Sequence, residues 1–225
     1  MLSNQVRRLI QRSACLGLKL LHKQEKKSLF RFKGKVFYLC PGVFRPKWTF
    51  TSIFLAESLK VSYGDIVLDM GCGVGIQAVF AAEKASQVLA LDINPKAAKC
   101  ARLNIRLNGL SDKVEVLVGD LFQPLKREKF DLIIFNPPYL PGKPKNLLER
   151  AWIDSDGFLI RRFFDEVSNH LKPNGKIQVL YSDIAVLNPD GLEKLIETKG
   201  FRIKFKTKKR LLFETLTVYL IAVKP

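Results

Sequence analysis

Two short segments of the sequence combine residue types and spacings suited to binding and chemistry. The first is Val67–Gly75 (VLDMGCGVG), in which an apolar run leads into glycines at every second position. Glycines at this spacing let the backbone turn tightly and approach a ligand with no Cβ in between. The second is Phe135–Tyr139 (FNPPY), where another apolar run ends in an asparagine, two prolines and a tyrosine. The first segment predicts a cofactor turn and the second a reaction site.

The residue before the glycine turn indicates which cofactor is bound. Asp69 precedes Gly71, Gly73 and Gly75, and this spacing differs from the G-x-G-x-x-G of dinucleotide enzymes. A carboxylate about 5 Å from a phosphate charge costs roughly 3 kcal/mol at an effective dielectric of 20. S-adenosylmethionine has no phosphate but carries a sulfonium and an amino group, so an acid is favourable beside it. The pattern therefore favours S-adenosylmethionine, with Cys72 as a small buried residue inside the turn.

Two further acids follow the next two apolar runs. Asp92, with Ile93 beside it, could accept hydrogen bonds from both ribose hydroxyls. Asp120 could accept from the adenine amino group while Leu121 or Phe122 covers the ring. The alternative is that these acids only cap the helices that follow. Three acids at three successive strand ends favour the cofactor interpretation.

The NPPY segment is suited to methylation of a planar nitrogen. The lone pair of an amide or aniline-like nitrogen is delocalised, as the amide rotation barrier of roughly 18–20 kcal/mol shows. Such a nitrogen becomes nucleophilic when acceptors hold its N–H bonds. The Asn136 side chain and the Pro137 carbonyl supply two acceptors, Pro137 and Pro138 fix their geometry, and Tyr139 offers a face to the substrate. Asn136 also belongs to the predicted cofactor site, and the alternative is that N-P-P is only a turn.

The surrounding pattern predicts a single α/β domain that positions both segments. Apolar runs and helical segments alternate, which is typical of a parallel sheet covered by helices on both faces. At the end of the chain, 201–206 and 212–223 are separated by a short basic connection (TKKR), so they must pair antiparallel. The predicted strands are 66–68, 88–91, 114–118, 132–135 and 177–181, and the predicted helices lie near 75–85, 95–108, 157–171 and 189–199.

The first 50 residues predict a basic extension, a helix plus a strand or hairpin, packed on a domain formed by 51–225. Its first part is a basic amphipathic pattern that we expect to form a helix with its basic face outward. Phe30–Leu39 alternates and predicts the strand or hairpin. A mitochondrial transit peptide is the alternative for the first 24 residues, since no acid precedes Glu25. We favour the packed helix and a cytoplasmic location.

Charge and cysteine content indicate the kind of partner and the kind of compartment. Residues 1–50 carry 12 Lys/Arg against one acid, 201–225 carry 7 against one, and 51–200 are balanced, so the two ends supply the net charge of +17. Basic ends on a neutral core suggest an anionic partner, RNA or a ribonucleoprotein first, although solubility alone would also explain them. The four scattered cysteines and two histidines predict neither a metal site nor a disulfide framework, and fit a reducing compartment. No apolar stretch is long enough to span a membrane.

These motifs together resemble the class I S-adenosylmethionine-dependent methyltransferases over about residues 45–225. The resemblance implies a Rossmann-like, mostly parallel seven-stranded sheet in the order 3-2-1-4-5-7-6, with strand 7 antiparallel in a C-terminal hairpin. It assigns Asp69, Gly71, Gly73 and Gly75 to the methionine moiety of the cofactor. Asp92 is assigned to the ribose and Asp120 to the adenine. No metal is implied.

Longer segments resemble the HemK/PrmC family of protein-glutamine methyltransferases, in its short archaeal and eukaryotic form. They are Tyr38–Leu59, FNPPYLP at 135–141, AWIDSDGFLIRRFF at 151–164 and Arg210–Glu214. The resemblance implies N-methylation of the glutamine amide in a Gly-Gly-Gln motif of a translation (release) factor, and it allows a small zinc-containing activator subunit. The chain departs from the family at Ile153-Asp154-Ser155, where paired glycines are usual. Alternatives are N-methylation of a base in RNA or DNA, which uses the same chemistry, and a scaffold that binds RNA without catalysis.

Overall fold

A single seven-stranded sheet with helices on both faces dominates the computed structural model, which describes residues 4–23, 28–46 and 50–224. A separate two-stranded hairpin precedes it. The helices are α1 (Asn4–Lys23), α2 (Phe50–Glu57), α3 (Ile76–Ala81), α4 (Pro95–Leu107), α5 (Phe158–Glu166) and α6 (Pro189–Thr198). The strands are β1 (Ser28–Phe32), β2 (Lys35–Leu39), β3 (Ile66–Met70), β4 (Gln87–Asp92), β5 (Val114–Val118), β6 (Phe130–Phe135), β7 (Leu171–Ser182), β8 (Phe201–Arg210) and β9 (Thr215–Val223).

The strand order of the large sheet is β5-β4-β3-β6-β7-β9-β8. Neighbouring strands from β5 to β7 are parallel, while β9 runs antiparallel to both β7 and β8. Counted from β3, this is the order 3-2-1-4-5-7-6, so the predicted fold class is confirmed. Because β3, β4, β5 and β6 are parallel, their carboxyl ends meet at one edge of the sheet, which is where the predicted site residues follow them.

Side chains from the two faces of the sheet enter two separate cores. Val67 packs with the helices on one face, whereas Leu68 and Met70 pack with Phe163 on the other. Burying each such side chain stabilises the fold by about 1.5–3 kcal/mol. The central strands are buried on both faces, which explains why they read as continuous apolar runs in the sequence.

Helix α4 starts as its sequence predicts. The Asn94 side chain accepts a hydrogen bond from Lys96 N at 3.0 Å, and Pro95 occupies the first turn. The far end of α4 binds the hairpin, because the Asn104 side-chain oxygen accepts from Tyr38 N at 2.7 Å. This helix therefore joins the cofactor edge of the sheet to the N-terminal segment.

The β1–β2 hairpin also overturns a prediction about the cysteines. Cys40, next to β2, is disulfide-bonded to Cys100 of α4, with 6.0 Å between their Cα atoms. We expected no disulfide from four scattered cysteines. The two residues are 60 positions apart and meet only because the hairpin packs on α4, a contact that cysteine spacing does not reveal.

Several element boundaries differ from those that the sequence predicts; β7, for example, begins at Leu171 rather than at 177. Strand β8 continues to Arg210 because its pairing with β9 extends to Thr215, so the basic TKKR segment lies in the strand. The connection is instead Leu211–Glu214, closed by a hydrogen bond from Leu211 N to Glu214 O at 2.8 Å. The helix predicted over 157–171 ends at Glu166 and continues as a 3-10 turn over Val167–His170.

Candidate active site

A cavity of about 720 Å³ opens at the carboxyl edge of the sheet. Most of the residues that the sequence predicts for cofactor binding and catalysis line this cavity. Asp69 and Gly75 are the exceptions, since neither lines it. Those that do are Gly71, Gly73, Asp92, Ile93, Asp120, Leu121, Asn136, Pro137, Pro138 and Tyr139.

The glycine turn between β3 and α3 forms one wall of the cavity. Gly71, Gly73 and Gly75 have φ values of 67°, 57° and 85°, a conformation that other residues adopt only with strain. At Gly75 a Cβ would also lie 3.2 Å from the Ala101 Cβ, so glycine lets α3 pack closely on α4. The turn thus presents bare backbone to the cavity.

Asp92 connects this turn to the next strand end. Its Oδ2 accepts from Gly73 N and its Oδ1 from Asn94 N, both at 2.8 Å. Burial raises the pKa of Asp92, while these two backbone bonds lower it. Each carboxylate oxygen has capacity for a further bond. A diol such as a ribose therefore finds two acceptors in a fixed orientation.

Asp69 has a different position from the one its spacing suggested. It is almost fully buried behind the turn, and its Oδ2 accepts from Ala78 N at 3.0 Å near the start of α3. Burial raises its pKa to about 8. Asp69 therefore anchors the helix that follows the turn, and its predicted contact with the methionine moiety stays a prediction.

Asp120 lines the cavity with an ion partner that the sequence did not indicate. Arg162 of α5 donates from Nη1 to Asp120 Oδ2 at 3.0 Å, and its guanidinium lies 5.6 Å from the ring centre of Phe158. Phe158 and Arg162 also line the cavity. The two residues of the ion pair are 42 positions apart, so no local spacing could have revealed it.

Asn136 is oriented by α2. Its Nδ2 donates to Ser52 Oγ at 3.4 Å, and the Ser52 carbonyl accepts from Gln77 Nε2 at 3.0 Å. Because the amide nitrogen is turned towards Ser52, the Asn136 Oδ1 is left as an acceptor. Ser52 is buried and lies in the Tyr38–Leu59 segment that carried the HemK/PrmC resemblance, but its own role had no signal in the sequence.

Tyr139 is held at its hydroxyl and at its backbone. The hydroxyl donates to Glu214 Oε2 at 3.3 Å, and Ser182 Oγ donates to the same oxygen at 2.6 Å. Val186 N donates to the Tyr139 carbonyl at 2.7 Å. Burial raises the pKa of Glu214, and burial beside Glu214 raises the pKa of Tyr139. Glu214 was missed as a site residue, although it is the one acid in 201–225.

Helix α1 packs against the segment that follows NPPY. Gln11 donates to the Ile184 carbonyl at 2.7 Å, the Arg7 guanidinium donates to the Ala185 carbonyl, and Lys19 forms an ion pair with Glu149 at 3.3 Å. Polar side chains of α1 thus face the domain together with apolar ones such as Ala14 and Leu18. The exposed residues of α1 include Leu9, Leu16 and Leu20 along with Arg8 and Arg12. The prediction that the basic face points outward is therefore wrong in part.

The fold and this cavity define a class of protein, the S-adenosylmethionine-dependent methyltransferases. The acids at the ends of β4 and β5 and the bare glycine turn suit a cationic nucleoside donor. Among solved structures, a tRNA m1G37 methyltransferase of Methanocaldococcus jannaschii shares the fold with a TM-score of 0.65. Sequence identity is 21%, over 90% of this chain and 58% of that one.

Sequence comparison shows the family. Residues 35–200 match the model of the methyltransferase small domain, and the chain belongs to this family. It is 31% identical to a protein of Methanocaldococcus jannaschii provisionally named a protein N5-glutamine methyltransferase, over 84% of this chain and 96% of that one. It is 27% identical to the release factor glutamine methyltransferase of Aquifex aeolicus, over 76% and 64% of the two chains. This chain is an enzyme that uses S-adenosylmethionine as methyl donor.

No group of three or more His, Cys, Asp or Glu side chains within 4–23, 28–46 and 50–224 could hold a metal ion. Over the same ranges, no helix combines the length and apolar character needed to cross a membrane.

Proposed function

We propose that this methyltransferase modifies the side-chain amide nitrogen of a glutamine in a protein, of the translation release-factor type. The names of the two relatives support the proposal, since one is provisionally a protein N5-glutamine methyltransferase and the other a release factor glutamine methyltransferase. The orientation of Asn136 is the structural observation that carries it.

An amide nitrogen needs its two N–H bonds held before its lone pair can be used. Asn136 Oδ1 is an acceptor fixed by the Ser52 contact, and the Pro137 carbonyl lies next to it in the chain. S-adenosylmethionine supplies a methyl carbon bonded to a sulfonium. The nitrogen forms a bond to that carbon as the C–S bond breaks, and the nitrogen proton passes to solvent. In this proposal Asn136 positions the nitrogen and Tyr139 supports the plane of the amide, so no strong base is required.

The test replaces Asn136 with alanine and measures cofactor binding and turnover separately. We expect S-adenosylhomocysteine affinity within a few-fold of the wild type and a loss of turnover of at least ~100-fold, the scale for one positioned polar group at a transition state. Single-turnover transfer to a recombinant release factor, followed by mass spectrometry of its Gly-Gly-Gln peptide, gives the rate and the modified atom. Ser52→Ala is the intermediate control, because it frees the amide without removing it. Full turnover in Asn136→Ala would refute the assignment.

A second candidate, methylation of a base in RNA or DNA, is favoured by the charge of β8. Arg202, Lys204, Lys208 and Arg210 are exposed on this edge strand, and Phe205 is exposed among them. Basic side chains with an exposed aromatic ring suit a nucleic-acid strand. Tritiated methyl transfer into cell extract, with and without ribonuclease, separates the two acceptors by whether the label stays with protein.

We further infer that the basic ends meet an anionic partner, RNA or a ribonucleoprotein. Residues 1–50 are inferred to act as an extension of a domain formed by 51–225. A cytoplasmic location and a small activator subunit belong to the same proposal, the second by family resemblance only. Co-purification of the tagged protein, with ribonuclease as a separate arm, tests the partners.

A further inference from the structure

The active-site cavity extends past the NPPY segment to α1. Its lining includes Ala14, Gly17, Leu18 and Leu21, which are spaced as one face of a helix. Pro144, Leu147 and Leu148 of the loop that follows NPPY also line it. We call the part of the cavity that these two sets line the α1 vestibule. It is apolar, whereas the cofactor end of the cavity carries Asp92 and Asp120.

Side-chain packing and hydrogen bonds hold the α1 side of the vestibule in place. Ala14, Leu18 and Leu148 pack on a core cluster formed by Leu140, Trp152, Ile153 and Ile184. Arg45 N donates to His22 Nε2 at 3.0 Å, so His22 Nδ1 donates to the Leu18 carbonyl at 2.8 Å. The His22 ring stacks on Phe44 with 5.3 Å between ring centres. The C-terminal half of α1 is thus fixed beside the reaction site.

One position in the α1 vestibule leaves room for a ligand. A Cβ added at Gly17 would meet no atom within 4 Å. Arg150 lines the cavity, and Lys143 and Lys145 flank the lining residue Pro144 in the chain; all three basic residues are exposed. The nearby Glu149 is buried and paired with Lys19. The exposed charge of this loop at the opening is therefore positive, while the vestibule residues named above are apolar.

We propose that the α1 vestibule binds the acceptor polypeptide beside the methylated side chain, as an apolar segment flanked by acidic residues. This rests on the proposed function and specifies its substrate. Apolar side chains of the acceptor are removed from water against Leu18, Leu21 and Leu148, while its acids meet the basic opening. A nucleic-acid strand would place phosphates and sugars against this apolar wall, so a polypeptide is the better match.

The experiment fills the α1 vestibule from Gly17. Gly17→Phe should raise the KM for a peptide acceptor about tenfold or more, the scale by which a misfit in an apolar pocket discriminates. Affinity for S-adenosylhomocysteine should not change, because the cofactor lies at the other end of the cavity. The probe is a synthetic peptide with Gly-Gly-Gln between apolar residues and acidic residues at both ends. A second peptide carries lysines in place of the acids and should bind more weakly.

A matched variant controls for effects on the fold. Ser13→Phe adds the same side chain to an exposed position of α1 outside the cavity lining. It should keep the wild-type KM, and thermal melting shows whether each variant folds. If the wild type methylates the peptide and Gly17→Phe keeps its KM within twofold, the proposal is overturned and the proposed function stands. Equal KM values for the acidic and basic peptides overturn the charge component. If the wild type methylates nucleic acid and no protein, the proposed function itself fails, and the proposal with it.

Discussion

Replacing Asp92 with alanine should remove the ribose contact of the cofactor. Each Asp92 oxygen already accepts one backbone N–H at 2.8 Å, from Gly73 and from Asn94. One acceptor position per oxygen is then left for the two ribose hydroxyls. Hydrogen bonds to a charged group contribute about 1.5–3 kcal/mol each, so the variant should lose about 3–6 kcal/mol of binding free energy. At 1.4 kcal/mol per decade, this is a loss of affinity between roughly 100-fold and 20,000-fold.

The same variant also leaves Gly73 N without its acceptor, so a loss of affinity alone does not prove a ribose contact. Calorimetric titration should therefore compare S-adenosylhomocysteine with its 2′,3′-dideoxy analogue. A disturbed turn weakens both ligands equally, whereas a ribose contact makes the wild type prefer the full ligand and the Asp92→Ala variant nearly indifferent. Asp69→Asn is the control, because Asp69 lies behind the turn and should leave the preference unchanged. If Asp92→Ala discriminates between the ligands as strongly as the wild type, Asp92 does not bind the ribose.

Three other predictions concern the pH dependence of stability, the positioning of Tyr139 and the salt dependence of RNA binding. Burial raises the folded-state pKa of Asp69 to about 8, so the free energy of unfolding should fall as pH rises from 5 to 8, by at most about 1.4 kcal/mol per pH unit. Urea unfolding at several pH values should show a weaker pH dependence for the Asp69→Asn variant than for the wild type. An equal pH dependence in the two proteins would contradict this. Glu214→Ala should lower kcat about tenfold by releasing the Tyr139 hydroxyl, while Glu214→Gln, which keeps an acceptor, should restore most of it; equal rates would show that no positioning occurs. Charge reversal at Lys208 and Arg210 should reduce the log-log salt slope of single-stranded RNA binding by about 1.4; a wild-type slope near zero would remove the nucleic-acid surface.

The fold was predictable because its signals are local. Parallel strands buried on both faces give continuous apolar runs, and Asn94-Pro95 marks the start of α4 through its own side-chain bond. The end of β8 was not predictable in this way. An edge strand lasts as long as its partner continues to pair, and β8 pairs with β9 up to Arg210 and Thr215. The sequence-based prediction therefore placed the connection between β8 and β9 at the TKKR segment, whereas the structure has it at Leu211–Glu214.

The candidate site likewise contains residues that the sequence predicts and contact partners that it does not predict. Asp92, Asp120 and Asn136 follow apolar runs directly, and strand ends of a parallel sheet must converge, so their meeting at one cavity follows from the sequence. The residues that contact these three side chains and Tyr139 do not follow from the sequence. Ser52 contacts Asn136 across 84 positions, Arg162 contacts Asp120 across 42, and Glu214 contacts Tyr139 across 75. Such contacts depend on how helices pack on the sheet, which periodicity does not specify.

Helix α1 shows why periodicity alone does not give the composition of a buried face. An amphipathic pattern identifies two faces, and the usual expectation buries the apolar one and exposes the basic one. The face that contacts the domain is mixed. Ala14 and Leu18 pack on a hydrophobic cluster of the domain, while Gln11 and Arg7 donate to backbone carbonyls after β7. A buried backbone carbonyl is costly without a donor, so polar side chains take part in an otherwise apolar contact. This orientation is what brings Gly17 and its face to the cavity.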